Sequence, residues 1–246
     1  MTNLVVDIGN AAVKLAVFRQ GKLASSLTVR SMHRDELHKY LQGNGEPEYA
    51  LISSVRGSAS EDIEEVIRSQ IKHTFVLDAS IKLPIKNLYE TPETLGKDRL
   101  AAAVGAFHLY PNSNLLVIDA GTAITYEVVT AQGEYMGGNI SPGLRMRFNA
   151  LHQQTHKLPL CEPQQKFEPI GRNTGEAIVA GVQNGIIYET LANITKISLK
   201  YQNLKVVLTG GDASFLANHL QYPIFVVYDL VLIGLNRILE YHAGMA

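Results

Sequence analysis

Three acidic residues stand where a carboxylate could do chemistry. Asp119 follows an apolar run at 115–118 and precedes Ala120-Gly121-Thr122. Gly121 lets the backbone approach a ligand closely, Thr122 offers a hydroxyl and an N–H, and Asp119 sits where a buried strand ends. Such a turn suits an anion held by backbone donors, with a carboxylate left to hold a cation. Asp7 has the same place after Leu4-Val5-Val6, ahead of Ile8-Gly9-Asn10-Ala11-Ala12-Val13, and Lys14 adds a positive charge. Asp98 lies in Gly96-Lys97-Asp98-Arg99, where a Pro-containing loop meets an Ala-rich segment. A carboxylate beside an arginine can accept a proton from an alcohol while the guanidinium neutralises an incoming carboxylate or phosphate. Each motif also has a plainer explanation. Asp and Gly close many hairpins, and a carboxylate near a helix N-terminus is favoured by the macrodipole.

The two turn motifs are related. With a shift of 112 positions, Leu4, Val5, Asp7, Gly9, Ala11, Val17, Gln20 and Gly21 fall without a gap on Leu116, Val117, Asp119, Gly121, Ala123, Val129, Gln132 and Gly133. That period is far too long for a solenoid unit and reads as a duplicated domain, divided at Pro111-Asn112-Ser113-Asn114 into 1–114 and 115–246. Two copies of one hairpin, facing each other, could grip a polyphosphate from both sides.

The elements that must position these residues follow from periodicity and turn residues. Strands are expected at 4–9, 13–18 and 23–29, then a helix at 33–41, a strand at 49–53, a helix at 61–71, a strand at 74–77 and a helix at 97–109. The second half repeats the order, with strands at 115–119, 123–129 and 134–140 and a helix at 144–153. A polar segment at 157–170, carrying Pro159, Pro163 and Pro169, has the length of a flap or a subunit contact. A long helix at 175–199 comes next, carrying Gly181 and Gly185. Strands at 205–209 and 224–227 and helices at 213–220 and 230–241 close the chain. Three hairpin-linked strands followed by αβ units describe an α/β fold, each half a mixed sheet covered by helices. Thr174, just before the long helix, is placed to cap it.

Composition narrows the function classes. A net charge of −1 with scattered Lys and Arg gives no electrostatic reason to expect nucleic acid or an anionic membrane surface. Hydrophobic residues make up 46% of the chain, enough for sizeable cores, yet no apolar run approaches the ~20 residues of a membrane span. The single cysteine, Cys161, cannot form an internal disulfide, so a reducing, cytoplasmic setting is expected.

The ordered motifs resemble those of the acetate and sugar kinase, heat-shock chaperone and actin superfamily, and within it type III pantothenate kinase. The residues that carry the resemblance are Asp7-Ile8-Gly9-Asn10 with Lys14, Tyr89 before Gly96-Lys97-Asp98-Arg99, and Asp119-Ala120-Gly121-Thr122-Ala123. Gly137-Gly138-Asn139-Ile140-Ser141-Pro142-Gly143, Asn173-Thr174-Gly175-Glu176-Ala177 and Thr209-Gly210-Gly211-Asp212-Ala213 complete the set. It implies two duplicated ribonuclease H-like domains (βββαβαβα each) around an ATP cleft.

The resemblance also implies an activity: ATP-dependent phosphorylation of the primary alcohol of pantothenate, the first step of coenzyme A synthesis. Asp7, Ile8, Gly9, Asn10, Ala11, Ala12, Val13 and Lys14 would form the first phosphate motif, and Thr122 would contact ATP. Asp119 would bind a monovalent cation, potassium or ammonium, and Mg²⁺ would arrive with ATP. Asp98 would be the base that activates the substrate hydroxyl. Tyr89, Gly96, Lys97, Asp98 and Arg99 would surround pantothenate, with Thr174 supplied by the neighbouring subunit of a homodimer. At Ala11 the family usually has Thr, so one hydroxyl contact is missing here. That departure favours a rival, a non-catalytic relative that binds nucleotide or pantothenate and regulates a partner; the intact Gly-x-Asp-Arg motif opposes it.

Overall fold

The computed structural model of the chain describes residues 1–55, 61–78 and 80–244. They form two compact units, described separately below.

The first unit comprises residues 1–111 with 133–135 and 229–246. Its sheet begins with three antiparallel strands, β1 (Thr2–Ile8), β2 (Val13–Arg19) and β3 (Lys22–Val29). Between β2 and β3 the chain turns on Gln20 and Gly21, both at positive φ (50° and 74°), the mirror-image turn that suits strand twist. After α1 (Arg34–Gly43), β4 (Tyr49–Ser54) adds parallel to β1. After α2 (Glu61–Gln70), β5 (His73–Val76) adds parallel to β4, giving the order β3-β2-β1-β4-β5.

Alternation decides what each face of β1 meets. Leu4, Val6 and Ile8 enter a core with Leu37 and Leu41 of α1 and Ile63, Val66 and Ile67 of α2. Asn3 points the other way, donating from Nδ2 to Oδ1 of Asn236 at 2.9 Å. Asp7 shares the face of Asn3. A short strand, β6 (Lys86–Asn87), pairs parallel with Glu134 and Tyr135; it is too brief to leave an alternation signal in the sequence.

Two helices cover the Asn3 side of this sheet: α3 (Lys97–Leu109) and the closing helix α7 (Leu230–His242), which packs on α3, β1, β2 and β4. Their axes come close because both are notched. A Cβ on Gly105 would lie 2.4 Å from the Leu230 carbonyl oxygen, and one on Gly234 would lie 1.8 Å from that of Ala101. The compact units therefore depart from a simple division at 114/115. The helix that ends the second repeat is built into the first unit, because only there does its apolar face find the Ala-rich side of α3.

The second unit comprises residues 112–132 and 136–228. Its strands are β7 (Leu115–Ala120), β8 (Ala123–Val129), β9 (Glu134–Pro142), β10 (Lys205–Thr209) and β11 (Ile224–Val226), in the order β11-β10-β7-β8-β9. Numbered from the first strand of each repeat, both sheets read 3-2-1-4-5. Residues 115–128 and 206–208 share a core with α4 (Leu144–Gln153), α5 (Thr174–Lys200) and α6 (Ala213–His219).

Two helices, α4 and α5, stand between β9 and β10, where helices are expected at 144–153 and 175–199, so this half reads βββααβαβα. The segment 157–170 is tied to α5. Gln183 exchanges two hydrogen bonds with the backbone of Gln164 (2.7 and 2.9 Å), while Leu158, Cys161 and Phe167 pack on the core. No helix among the described residues is long and apolar enough to cross a membrane.

Candidate active site

In the first unit, the end of β1 presents Asp7 between Lys14 on β2 and Ser53 on β4, its direct neighbours in the two ladders. Ser53 Oγ donates to Asp7 Oδ1 at 3.3 Å. Only 8% of Asp7 is exposed. Burial pushes its carboxyl above the ordinary value; Lys14 opposes that rise, the charge of Asp98 adds to it, and the Ser53 hydroxyl opposes it. Asp98 is thus close enough for the two carboxylates to feel each other, so the structure joins two motifs that lie ninety-one positions apart.

Beyond Asp7 the chain crosses from β1 to β2 through residues 9–12, closed by a Gly9 N–H to Ala12 carbonyl bond of 3.0 Å. Asn10 and Ala11 are exposed at its tip. Ile8 and Val13, both 1% exposed, anchor the turn from below by entering the core, so any contact with a ligand there falls to their backbone.

Asp98 occupies the second position of α3, exposed, where the unpaired N–H groups of the first turn favour a negative charge. Its Oδ1 accepts from the Arg99 N–H at 2.9 Å. A Cβ at Gly96 would fall 2.6 Å from that same oxygen, so only glycine leaves room for the carboxylate to fold back over the helix start. Arg99 is buried, with its guanidinium carbon 5.6 Å from the centre of the Tyr89 ring, a cation–π distance. Tyr89 in turn stands 6.1 Å from Tyr135. Tyr89, Gly96, Asp98 and Arg99 therefore stand together, with Asp98 within electrostatic reach of Asp7, whereas the Lys97 charge acts on Asp78. Ser53 and Tyr135 were not visible in the sequence motifs, since each joins only through strand pairing.

In the second unit, Asp119 ends β7 between Thr125 on β8 and Thr209 on β10. Between the paired Ala120 and Ile124 the chain turns through Gly121, exposed Thr122 and Ala123, and two glycines from elsewhere press against it. Gly143 donates its N–H to the Thr122 carbonyl at 3.0 Å, and a Cβ there would lie 2.3 and 2.4 Å from the Gly121 and Thr122 oxygens. Gly210 has φ +96°, and a Cβ there would lie 2.4 Å from the Ala120 oxygen and 2.5 Å from Asp119 Oδ1. The Asp212 N–H also donates to the Ala120 carbonyl at 2.9 Å. The motifs around Gly121, Gly143 and Gly210 thus meet as one glycine-lined floor, where backbone can lie against a flat or anionic ligand.

The ladder exposes a difference between the repeats. Asp7 pairs with Lys14, but Asp119 pairs with Thr125, so the gapless match holds up to the turn and slips by one residue after it. The first turn holds four residues, 9–12, between paired Ile8 and Val13, and the second three, 121–123, between Ala120 and Ile124; the third strands begin at Lys22 and Glu134, again 112 positions apart.

Thr174 is the first residue of α5, and the cap is Asn173, a correction to the expected role. Asn173 Oδ1 accepts from the Glu176 N–H at 2.9 Å, its Nδ2 donates to Glu176 Oε1 at 2.8 Å, and Glu176 Oε2 accepts from the Arg172 N–H at 2.8 Å. Thr174 heads an open groove of about 730 Å³ between α4 and α5, lined by Leu151, Leu158, Ile178 and Gly181 among others. A Cβ on Gly181 would touch nothing within 4 Å, so no neighbouring strand explains that glycine.

Comparison with known proteins gives the family and the fold. The family model for type III pantothenate kinase matches residues 3–197. A type III pantothenate kinase of Porphyromonas gingivalis is 44% identical over 243 residues, covering 98% of each chain, and one of Bacteroides fragilis is 43% identical over 250 residues, covering 98% of this chain and 99% of its own. Among solved structures, a Baf family protein of Campylobacter jejuni superposes with a TM-score of 0.63 at 22% identity, covering 98% and 99% of the two chains. The activator of 2-hydroxyisocaproyl-CoA dehydratase from Clostridium difficile does so with 0.58 at 14% identity, covering 99% and 95%. These structures share the fold of two duplicated ribonuclease H-like domains. With a family model matching residues 3–197 and relatives 43% and 44% identical over 98% of it, the chain belongs to the type III pantothenate kinases.

Proposed function

We propose that the chain transfers the γ-phosphoryl group of ATP to the primary alcohol of pantothenate, opening coenzyme A synthesis. The observation that carries this reading is the Asp98 cluster, with an exposed carboxylate beside Arg99 and Tyr89 and within electrostatic reach of Asp7, in a chain with full-length relatives of this family. Asp98 takes the hydroxyl proton, the alcohol oxygen bonds to the γ-phosphorus, and the bond to the bridging oxygen breaks, releasing ADP. Lys14 and backbone N–H groups of residues 10–12 offset the negative charge of the transferring group.

A kinase using ATP implies a divalent metal. The repulsion from Asp98 that helps raise Asp7 is what a cation carried in by the nucleotide would relieve, so the carboxylates present fit Mg²⁺. Asp119, flanked by the hydroxyl-bearing Thr125 and Thr209, fits a monovalent cation with oxygen ligands. We place the enzyme in the cytoplasm, where ATP is available, and read 1–114 and 115–246 as the two duplicated segments.

The working unit is a homodimer in this reading. The groove below Thr174 and the empty space at Gly181 leave one face of α5 for a second copy, whose pantothenate Thr174 would reach.

The test is ADP release with and without pantothenate, at high ATP with Mg²⁺ and potassium. Pantothenate-dependent release is expected, and it should fall when a bulky organic cation replaces potassium. Asp98→Asn should lower kcat by ~10²–10⁴-fold while leaving ATP affinity nearly unchanged. A variant turning over at the parent rate removes Asp98 from the chemistry. Mixing inactive Asp98→Asn and Thr174→Ala chains should restore activity through mixed dimers; no recovery after proven subunit exchange would place both residues in one chain's site.

A further inference from the structure

We infer that Arg147, held by Glu189, is a positioning residue that fixes the nucleotide-binding turn at Thr122. The inference rests on the reading that this turn meets ATP. Arg147 lies one turn into α4, and its guanidinium reaches back to the end of β9. Nε donates to the Pro142 carbonyl at 2.8 Å and Nη2 to Ser141 Oγ at 2.7 Å. Nη2 also meets Glu189 Oε2 on α5 at 2.6 Å. Its own N–H donates to the Gly143 carbonyl at 3.1 Å. The guanidinium therefore holds Ser141 and Pro142, and the next residue, Gly143, is the one pressed against the Gly121 and Thr122 oxygens without room for a Cβ.

Glu189 is itself fixed. Tyr126 Oη donates to its Oε1 at 3.3 Å and also meets Thr190 Oγ1 at 3.1 Å. Burial pushes the Tyr126 phenol up to about 12, so it stays a donor throughout the working range. Burial would raise Glu189, but the bonds from Arg147 and Ser141 outweigh it and hold the carboxyl below its ordinary value, charged against the guanidinium. Tyr126 stands on β8, the strand that returns from Thr122, so the same network also reaches the strand leaving the turn.

The guanidinium is committed to Ser141, Pro142 and Glu189, so its effect on the nucleotide passes through the geometry of Gly121 and Thr122. A fork with two directed donors is required, which lysine's single ammonium cannot reproduce.

The experiment uses Arg147→Gln, Arg147→Lys, Glu189→Gln and the double variant Arg147→Gln/Glu189→Gln in the full chain. Affinity for a non-hydrolysable ATP analogue is measured by calorimetry, KM is measured for each substrate, and thermal melting is followed. A misplaced turn should weaken nucleotide binding by roughly 10–100-fold in Arg147→Gln, with a smaller rise in KM for pantothenate. Arg147→Lys should recover part of the loss, and Glu189→Gln should show a milder loss of the same kind. The double variant should be no worse than Arg147→Gln, because both act through one clamp. If Arg147→Gln does not fold, Glu189→Gln decides by the same comparison. Nucleotide affinity within twofold of the parent, or equal losses for both substrates that track melting alone with no rescue by lysine, would overturn the inference. A parent that binds nucleotide but does not phosphorylate pantothenate would overturn the functional reading and leave this series decisive for Arg147.

Discussion

The hairpins at Asp7 and Asp119 descend from one pattern and now offer different chemistry. Each carboxylate ends the first strand of a 3-2-1-4-5 sheet, flanked by the second and fourth strands. Around Asp7 the flanks are Lys14 and Ser53, the turn is wide, and a Cβ at Gly9 would make only an ordinary 3.5 Å contact. Around Asp119 the flanks are two threonines, the turn is tight, and Gly143 and Gly210 are wedged against its carbonyls. A one-residue slip in strand pairing accounts for the flanks. Because side chains alternate with period two, it decides whether Lys14's counterpart across from Asp119 is Thr125 or Tyr126. One repeat thus keeps a positive charge beside its carboxylate, while the other gains a rigid backbone floor.

The sharpest way to break this comparison is to add the same methyl group to both turns. Gly210→Ala must place a Cβ inside van der Waals contact of backbone at a positive φ, and should cost about 2–4 kcal/mol. Gly9→Ala should cost less than about 0.5 kcal/mol, the usual range for an unobstructed surface site. Urea unfolding of the two variants checks the difference; equal losses would mean that both turns are equally constrained.

Asp7 supplies a pH test. Its folded-state carboxyl lies above the ordinary 3.8, chiefly through burial, so the folded chain holds the proton more tightly than the unfolded one. Stability is then undiminished below about pH 3.8 and falls as pH rises through the folded value, after which the penalty is constant. Asp7→Asn should therefore melt higher than the parent at neutral pH, with the gain vanishing in acid, and should lose activity. Lys14→Met should melt lower at neutral pH, since the charge that opposes the rise is gone. Melting curves across pH for the three chains check both signs.

The smallest effect concerns hydroxyls. Ala11→Thr should strengthen nucleotide binding, and Thr122→Ala should weaken it, each by about one neutral hydrogen bond, ~0.5–1.5 kcal/mol. If only Thr122→Ala has an effect, the wide first turn already satisfies its phosphate through backbone N–H groups.

Much of this was legible locally. The bounds 97–109, 123–129, 144–153 and 205–209 agree with α3, β8, α4 and β10, because turn residues and periodicity act within a few positions. The proximity of Asp98 to Asp7, by contrast, was implied only by the family resemblance, and the Asn173 cap lay one residue from the expected Thr174 because Ser, Thr and Asn compete equally for that place.

By itself, then, the sequence determined the duplicated strand–Asp–turn units, the order of strands and helices, and the residue types that can hold phosphate or move a proton. Only the tertiary structure decided the one-residue slip behind Thr122, the clamp of Arg147 by Glu189, the burial that raises Asp7 and the lodging of α7 against α3. Apart from the slip, which lies within one hairpin, these depend on pairings between residues far apart in the chain. A partner forty or more positions away leaves no mark on the spacing around a residue, whereas a strand end or a turn is fixed by its immediate neighbours.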